Sequence, residues 1–499
     1  MLEKAGGQGP VACLAIAWLA GSFALAAGAA AAELPPPLET MVERVACRDD
    51  PSQTYALFLP AAYRSEQRWP VLFAFDPMAR GRVAVELFQK AAERLGVIVV
   101  ASNNARNGPL PPVLSAVEAV WHDARARFSI DPDRVYAAGM SGGTLPALIL
   151  GQARGAGVIA CAGPLEAARL PALDARFAWF GVAGDADFNF DATKAVVEAL
   201  SARGISARFA SFDGKHGWPP EALASRALEW LELVAMRNGR RPRDDAFVEA
   251  FYQSGIARLR DLVAGGRHDE AADEGAALAR ELRGLKPGDA LDALEAEAGR
   301  LRDSPEARKA RKIEKARGGR SRNEITRLLA LRRRLDRAAG PGGELTAGQG
   351  LGDLVGRSED RLAAGAELES SLGRLARMAG SDDAENRIVA RRALDGFAID
   401  TFATGTERRS SGQLETADVF FDFCSKINPQ NAAPVYERAR TLAARGDIKG
   451  ALVQLRRAVG LGFADRFRLG QEPEWAKLRD LPDFQAVLAE LDARGDRPR

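Results

Sequence analysis

From Tyr55 to about Met236, short continuous apolar runs alternate with amphipathic stretches, and this alternation constrains the fold more than any other feature of the chain. The apolar runs at 55–59, 71–75, 97–101, 134–138, 158–162, 177–182 and 207–212 read as strands. The stretches at 83–95, 113–128, 144–152, 192–203 and 221–236 read as helices. Strand followed by helix, repeated, predicts parallel strands, because parallel neighbours need a long crossover connection. Runs that are apolar throughout, rather than alternating, predict a sheet covered by helices on both faces. The fold class is therefore α/β with a mostly parallel sheet.

At 499 residues the chain exceeds one compact core, so further domains are expected. Asn238–Asp245 is charged and contains Pro242, which marks a boundary. Beyond it the pattern is helical, giving an all-α region over 246–499. Ser304–Asn323, dense in Arg and Lys, reads as a solvated helix or a mobile connector, and Ala338–Gly352 as a Gly-rich loop. Gly412, Ala417, Phe421 and Cys424 are matched 34 positions later by Gly446, Ala451, Leu455 and Ala458. That period, near 398–465, is similar to tetratricopeptide repeats; the alternative is a generic helical bundle. A further Gly-to-Ala step at Gly266 and Ala271 lies out of register with the others.

Residues 1–32 read as an export signal: Lys4, an apolar run from Val11 to about Ala29, then Ala30-Ala31-Ala32 for cleavage. An uncleaved anchor is the alternative. The α/β region is then 33–238, and the expected location is periplasmic or secreted, with no stable membrane insertion after cleavage. Lys and Arg (69) nearly balance Asp and Glu (67), which gives no reason to expect nucleic acid as a partner. Cys47, Cys161 and Cys424 lack metal-ligand spacing and read as buried, unpaired residues.

Gly139-Met140-Ser141-Gly142-Gly143 follows one strand directly and precedes an apolar helix. A turn this tight holds the serine oxygen above the sheet and leaves the Gly142 amide free to stabilise an oxyanion. Three histidines are candidates for the base. His122 sits inside an amphipathic helix and His268 in a repeat-like turn, so both read as structural or solvated. His216, in Gly214-Lys215-His216-Gly217 after the last strand, can reach over the sheet end. The acid comes from Gly184-Asp185-Ala186-Asp187. Asp187 lies farther into the loop and is preferred; Asp185 can instead hydrogen-bond the loop backbone.

These residues resemble the α/β-hydrolase esterases, in particular the polyhydroxybutyrate depolymerase, feruloyl esterase and dienelactone hydrolase-like families. The resemblance rests on Ile130-Asp131-Pro132-Asp133-Arg134-Val135-Tyr136 leading to the Ser141 pentapeptide, on Tyr55–Tyr63, and on Trp69-Pro70-Val71. It covers somewhat over a third of the chain. It implies carboxylic ester hydrolysis through an acyl-enzyme, with Ser141 as nucleophile, His216 as base and Asp187 as acid, and with no metal and no cofactor. One departure concerns the oxyanion hole. Where these families carry His-Gly, this chain has Phe75-Asp76-Pro77-Met78; Pro77 has no N–H, so Met78 is the expected second donor beside Gly142. Asp76 there disfavours an oxyanion unless it is turned away or paired, with Arg80 or Arg82 as the candidate partner. The expected substrate is an ester-containing small molecule or polymer, and the short connection 163–176 implies an open site. Two alternatives stand: a prolyl-oligopeptidase-like peptidase, or a catalytically weak scaffold that binds a protein partner through its helical repeats.

Overall fold

The computed structural model describes residues 38–337 and 359–495. The expected export signal, 1–32, and the loop expected at 338–352 lie outside these residues. Eight strands form one sheet among the described residues: β1 (Val42–Ala46), β2 (Thr54–Phe58), β3 (Trp69–Phe75), β4 (Ile98–Ser102), β5 (Ile130–Met140), β6 (Gly157–Cys161), β7 (Ala178–Gly184) and β8 (Ser206–Phe212). Their order is β1-β2-β4-β3-β5-β6-β7-β8. From β4 to β8 all neighbours are parallel, whereas β1–β2 and β2–β4 pair antiparallel. The crossover argument holds from β3 onward, where a helix follows each strand up to β5. The connection 59–68 contains no helix, so β2 is not bound by it. β1, absent from the strands read in the sequence, is a largely exposed edge strand whose polar residues hide its strand character.

The covering helices are α1 (Gly81–Leu95), α2 (Leu110–Arg127), α3 (Thr144–Arg154), α4 (Phe190–Ala202) and α5 (Glu221–Arg237). One face of the sheet buries Leu72, Ala138 and Phe180 against α1 and α5; the other buries Phe73, Val100 and Val158 against α2 and α3. This is the α/β-hydrolase architecture expected above, and a large all-helical region follows it.

That region comprises α6 (Asp245–Ala264), α7 (His268–Leu282), α8 (Gly288–Arg302), α9 (Pro305–Arg337), α10 (Glu359–Ala379), α11 (Ala384–Ser410), α12 (Leu414–Ile427), α13 (Ala432–Arg445), α14 (Ile448–Gly460), α15 (Arg466–Gln471) and α16 (Pro482–Gly495). Leu259, Leu278 and Leu291 join the apolar core around Trp230 and Leu231 of α5, so burial runs without a break from sheet to helices. Arg208 of β8 reinforces the junction, with Glu274 at 2.6 Å and Glu281 at 2.5 Å on α7. The basic stretch 304–323 belongs to the ordered helix α9, where Arg317 pairs with Glu314 and Glu385.

Gly412 (φ 79°) and Gly446 (φ 85°), the repeated glycines, both adopt the left-handed conformation between successive helices. Ala417, Phe421 and Cys424, and their counterparts Ala451, Leu455 and Ala458, are all buried. Cys47, Cys161 and Cys424 are unpaired and buried, and burial pushes the Cys47 and Cys424 thiols up to about 12. Among the described residues no helix is long and apolar enough to cross a membrane.

Candidate active site

β5 ends at Met140 in extended conformation, and Ser141 then takes φ 51°, a left-handed backbone that costs a non-glycine residue on the order of 1 kcal/mol or more. The chain re-enters helix at once through Ser141–Gly143 and α3. Such a reversal is possible only without side chains on either side. A Cβ on Gly139 would lie 2.1 Å from the Gly143 carbonyl oxygen, and one on Gly143 would lie 2.0 Å from that of Phe75. Ser141 is thereby fixed at the carboxyl end of the parallel strands. The Gly142 N–H falls in the first helical turn, where amides have no intrahelical acceptor.

The loop after β7 carries Asp187, the candidate acid. Asp187 is fully buried, and its Oδ1 accepts from the Asn189 amide at 2.8 Å. His216 Nδ1 lies 3.0 Å from both Asp187 oxygens. A proton on Nδ1 is thus directed at the carboxylate, which leaves Nε2 as the basic nitrogen. Phe188 lies over the imidazole with ring centroids 4.4 Å apart. His216 Nε2 is buried and has no hydrogen-bond partner among the described residues, so Ser141 and His216 are not in direct hydrogen-bond contact. Catalytic hydrogen bonds are commonly long without substrate and tighten in the complex.

Asp185, the competing aspartate, faces elsewhere. Its Oδ1 accepts from the Gly214 amide at 3.2 Å, and the Ala186 amide donates to the Gly214 carbonyl at 2.9 Å. These bonds tie the acid loop to the histidine loop. The remaining histidines stand apart: exposed His122 lies beside Glu118 on α2, and His268 beside Ser304 at the start of α7. Among the described residues no group of three His, Cys, Asp or Glu side chains could hold a metal ion.

The expectation for Met78 needs correction. Its amide donates to Asp76 Oδ1 at 2.8 Å, so it is not presented to the site. Asp76 is fully buried and also receives Arg80 Nε and Nη2, each at 2.9 Å, and Trp218 Nε1 at 2.9 Å. Arg80 is therefore its cationic partner, while Arg82 pairs with Glu43 and Glu86. An aspartate that accepts from the amide two residues on is an Asx turn, and Asp76-Pro77-Met78 carries that signal.

The helical region borders the site, which the sequence did not reveal. Arg392 of α11, 2% exposed, donates from Nε to the Asp185 carbonyl at 2.8 Å and pairs with Glu314 at 2.7 Å. Its guanidinium lies 4.6 Å from the Phe190 ring centre. Gly396, one turn on, lets α11 approach Phe188: a Cβ there would lie 3.3 Å from Phe188 Cβ. Asp395 lies between them. Burial raises its pKa, Lys215 and His216 oppose that rise, and Asp187 adds to it. Arg322 of α9 pairs with Asp191 at the end of the acid loop. Glu472 lies 3.4 Å from Arg106 on the loop after β4. The connection 163–176 forms only the short turn Ala167–Arg169, so the elements flanking the acid loop come from the helical region.

No protein-family model matches the chain, and no curated protein sequence does. Solved structures similar to part of it include a ferulic acid esterase, at 20% identity and TM-score 0.33, covering 39% of this chain and 97% of that one. An S-formylglutathione hydrolase from Staphylococcus aureus is similar at 14% identity and TM-score 0.32, covering 40% and 99%. A thermostable carboxylesterase cloned from a metagenomic library gives 14% identity and TM-score 0.32, covering 41% and 91%.

Proposed function

We propose that this chain is a serine hydrolase that cleaves carboxylic esters through an acyl-enzyme. One observation carries the reading: Ser141 is held in a left-handed turn at the strand end, in the same fold as a buried Asp187 that pairs with His216 at 3.0 Å, its Nε2 having no partner among the described residues. In the first step Nε2 accepts the Ser141 proton as Oγ attacks the ester carbonyl. The Gly142 N–H donates to the oxyanion. The imidazolium, held by Asp187, returns the proton to the departing alcohol. Water, deprotonated by the same nitrogen, then releases the acid and restores the Ser141 hydroxyl.

A second reading, a weakly catalytic scaffold working through its helices, is favoured by the Met78 amide. Its commitment to Asp76 removes the expected second oxyanion donor, and one such donor contributes about 3 kcal/mol to transition-state stabilisation. A prolyl-oligopeptidase-like peptidase would share the same residues. Hydrolysis of p-nitrophenyl acetate and butyrate, beside labelling by a fluorophosphonate, separates enzyme from scaffold. Ser141→Ala should abolish both signals. A folded wild-type protein with neither signal would sink the hydrolase reading.

A further inference from the structure

The turn after β3 has no amide left to offer an oxyanion. Pro77 has no N–H; the Met78 amide donates to Asp76 Oδ1 at 2.8 Å, and the Ala79 amide to the Asp76 carbonyl at 2.9 Å. The Arg80 amide points to Asp76 Oδ1 at 3.4 Å. Releasing one of the donors to the carboxylate would strip a bond from a buried charge, which is unfavourable. If the site is an esterase, its second donor must come from another segment.

The loop between β4 and α2 supplies one. It runs antiparallel beside this turn: Met78 and Arg106 are bridge partners, and the Asn107 amide donates to the Pro77 carbonyl at 2.8 Å. The Asn107 side chain is thereby laid against the residue that follows the nucleophile. A Cβ on Gly142 would fall 1.8 Å from Asn107 Oδ1, 2.8 Å from Cγ and 3.2 Å from Nδ2. Asn107 is exposed, and its carboxamide makes no hydrogen bond within the described residues. Rotation about the last side-chain torsion, which is soft, exchanges oxygen for NH2 at that point. Arg106, the preceding residue, lies 3.4 Å from Glu472 and ties the loop to the helical region.

We infer that Asn107 is a catalytic residue whose Nδ2 is the second oxyanion donor, acting with the Gly142 N–H. This rests on the esterase reading above. A side chain has taken over what a backbone amide would otherwise do, so the donor can be removed by substitution.

The test is steady-state hydrolysis of p-nitrophenyl butyrate by the full chain, with wild type, Ser141→Ala, Asn107→Ala and Asn107→Asp side by side. Asn107→Asp keeps the shape and removes the NH2, which guards against a fold defect in Asn107→Ala. Both variants should lose about a hundred- to a thousand-fold in kcat, with KM within about threefold, because the bond forms in the transition state. Inhibition by a trifluoromethyl ketone, which forms an oxyanion on the serine, should weaken in parallel. If wild type is active, Ser141→Ala is dead and both Asn107 variants keep kcat within about threefold, the Asn107 assignment fails and the hydrolase reading stands. A wild type inert to ester and fluorophosphonate overturns both.

Discussion

Phe73 in the central strand and Arg468 in the helical region are both buried, yet their surroundings share almost nothing. Phe73 packs among Tyr55, Val100, Trp121 and Val135, where burial of each large apolar side chain is worth roughly 1.5–3 kcal/mol and needs no partner atom. Arg468 sits over the Tyr436 ring, 4.4 Å from its centre, between Glu437 and Glu472, each at 2.8 Å. Around it, Arg440 pairs with Glu437, Glu472 and Glu474, and Arg438 and Arg445 both pair with the buried Asp418. The sheet is held by contacts that any apolar side chain of suitable shape could make. The helical interior is held by contacts that fail when one partner is missing. That same charged chemistry reaches the loops of the candidate site through Arg392 and Glu472. A rigid apolar scaffold thus positions Ser141, while a charged and condition-dependent one braces the loops around it.

The largest expected effects test this contrast directly. Phe73→Ala should cost about 3–5 kcal/mol through the cavity it leaves. Arg468→Met should cost a similar amount, about 3–5 kcal/mol, by removing from the buried Glu437 and Glu472 a cation that Arg440 only partly replaces. The two should part with pH. Burial alone would raise the Glu437 carboxyl, but Arg468, Arg440 and Arg409 bring it down to about 2. A depressed carboxylate contributes its full stability above the unfolded value near 4.5 and loses it as pH falls toward the folded value. Denaturant midpoints at pH 7 and pH 3.5 should therefore show a constant cost for Phe73→Ala. The cost of Arg468→Met should shrink by about 1 kcal/mol, each pH unit being worth about 1.4 kcal/mol. Equal costs at both pH values would remove the distinction between the two interiors.

A smaller effect is expected where the two regions meet. Arg392→Ala removes the bond to the Asp185 carbonyl and the contact with Phe190, two residues before and three after Asp187. Small displacements at a catalytic group cost up to about a hundredfold, so kcat for p-nitrophenyl butyrate should fall about ten- to a hundredfold with KM little changed. Arg392→Lys keeps the charge beside Glu314 and should recover part of that loss. Unchanged kcat in Arg392→Ala would mean that the acid loop stands without the helices.

The contrast also explains what could be read in the sequence. Runs such as Val71–Phe75 announce their burial in composition alone, and the elbow glycines at 139 and 143 announce a backbone approach that no side chain permits. With three histidines, the meeting of His216 with Asp187 is legible in its position after the last strand. β1 escaped notice because an exposed edge strand needs no apolar run. Charged pairs are a different matter. Arg392 and Asp185 lie 207 residues apart, and an arginine in a helix carries no mark of its future partner. Asn107 against Gly142 is likewise a meeting of two loops, set by the sheet order rather than by either local sequence. Backbone position alone points to Met78 as a donor, whereas the Asp76 carboxylate two residues earlier takes its amide.

The smallest expected effect lies within the site. Asp395 faces Lys215, His216, Asp187 and Arg391. Burial raises its carboxyl above the usual range, Lys215 and His216 lower it, and Asp187 raises it again. A raised carboxyl favours the fold fully below its unfolded value and loses that contribution as pH rises through the folded one. Asp395→Asn removes the ionisation at nearly constant volume. The denaturant midpoint of the wild type should therefore fall relative to that of Asp395→Asn between about pH 4 and pH 7. A difference that stays constant over that range would mean that Asp395 carries the same charge in the folded and unfolded chain. The helical region would then add no pH-dependent contribution beside the candidate site.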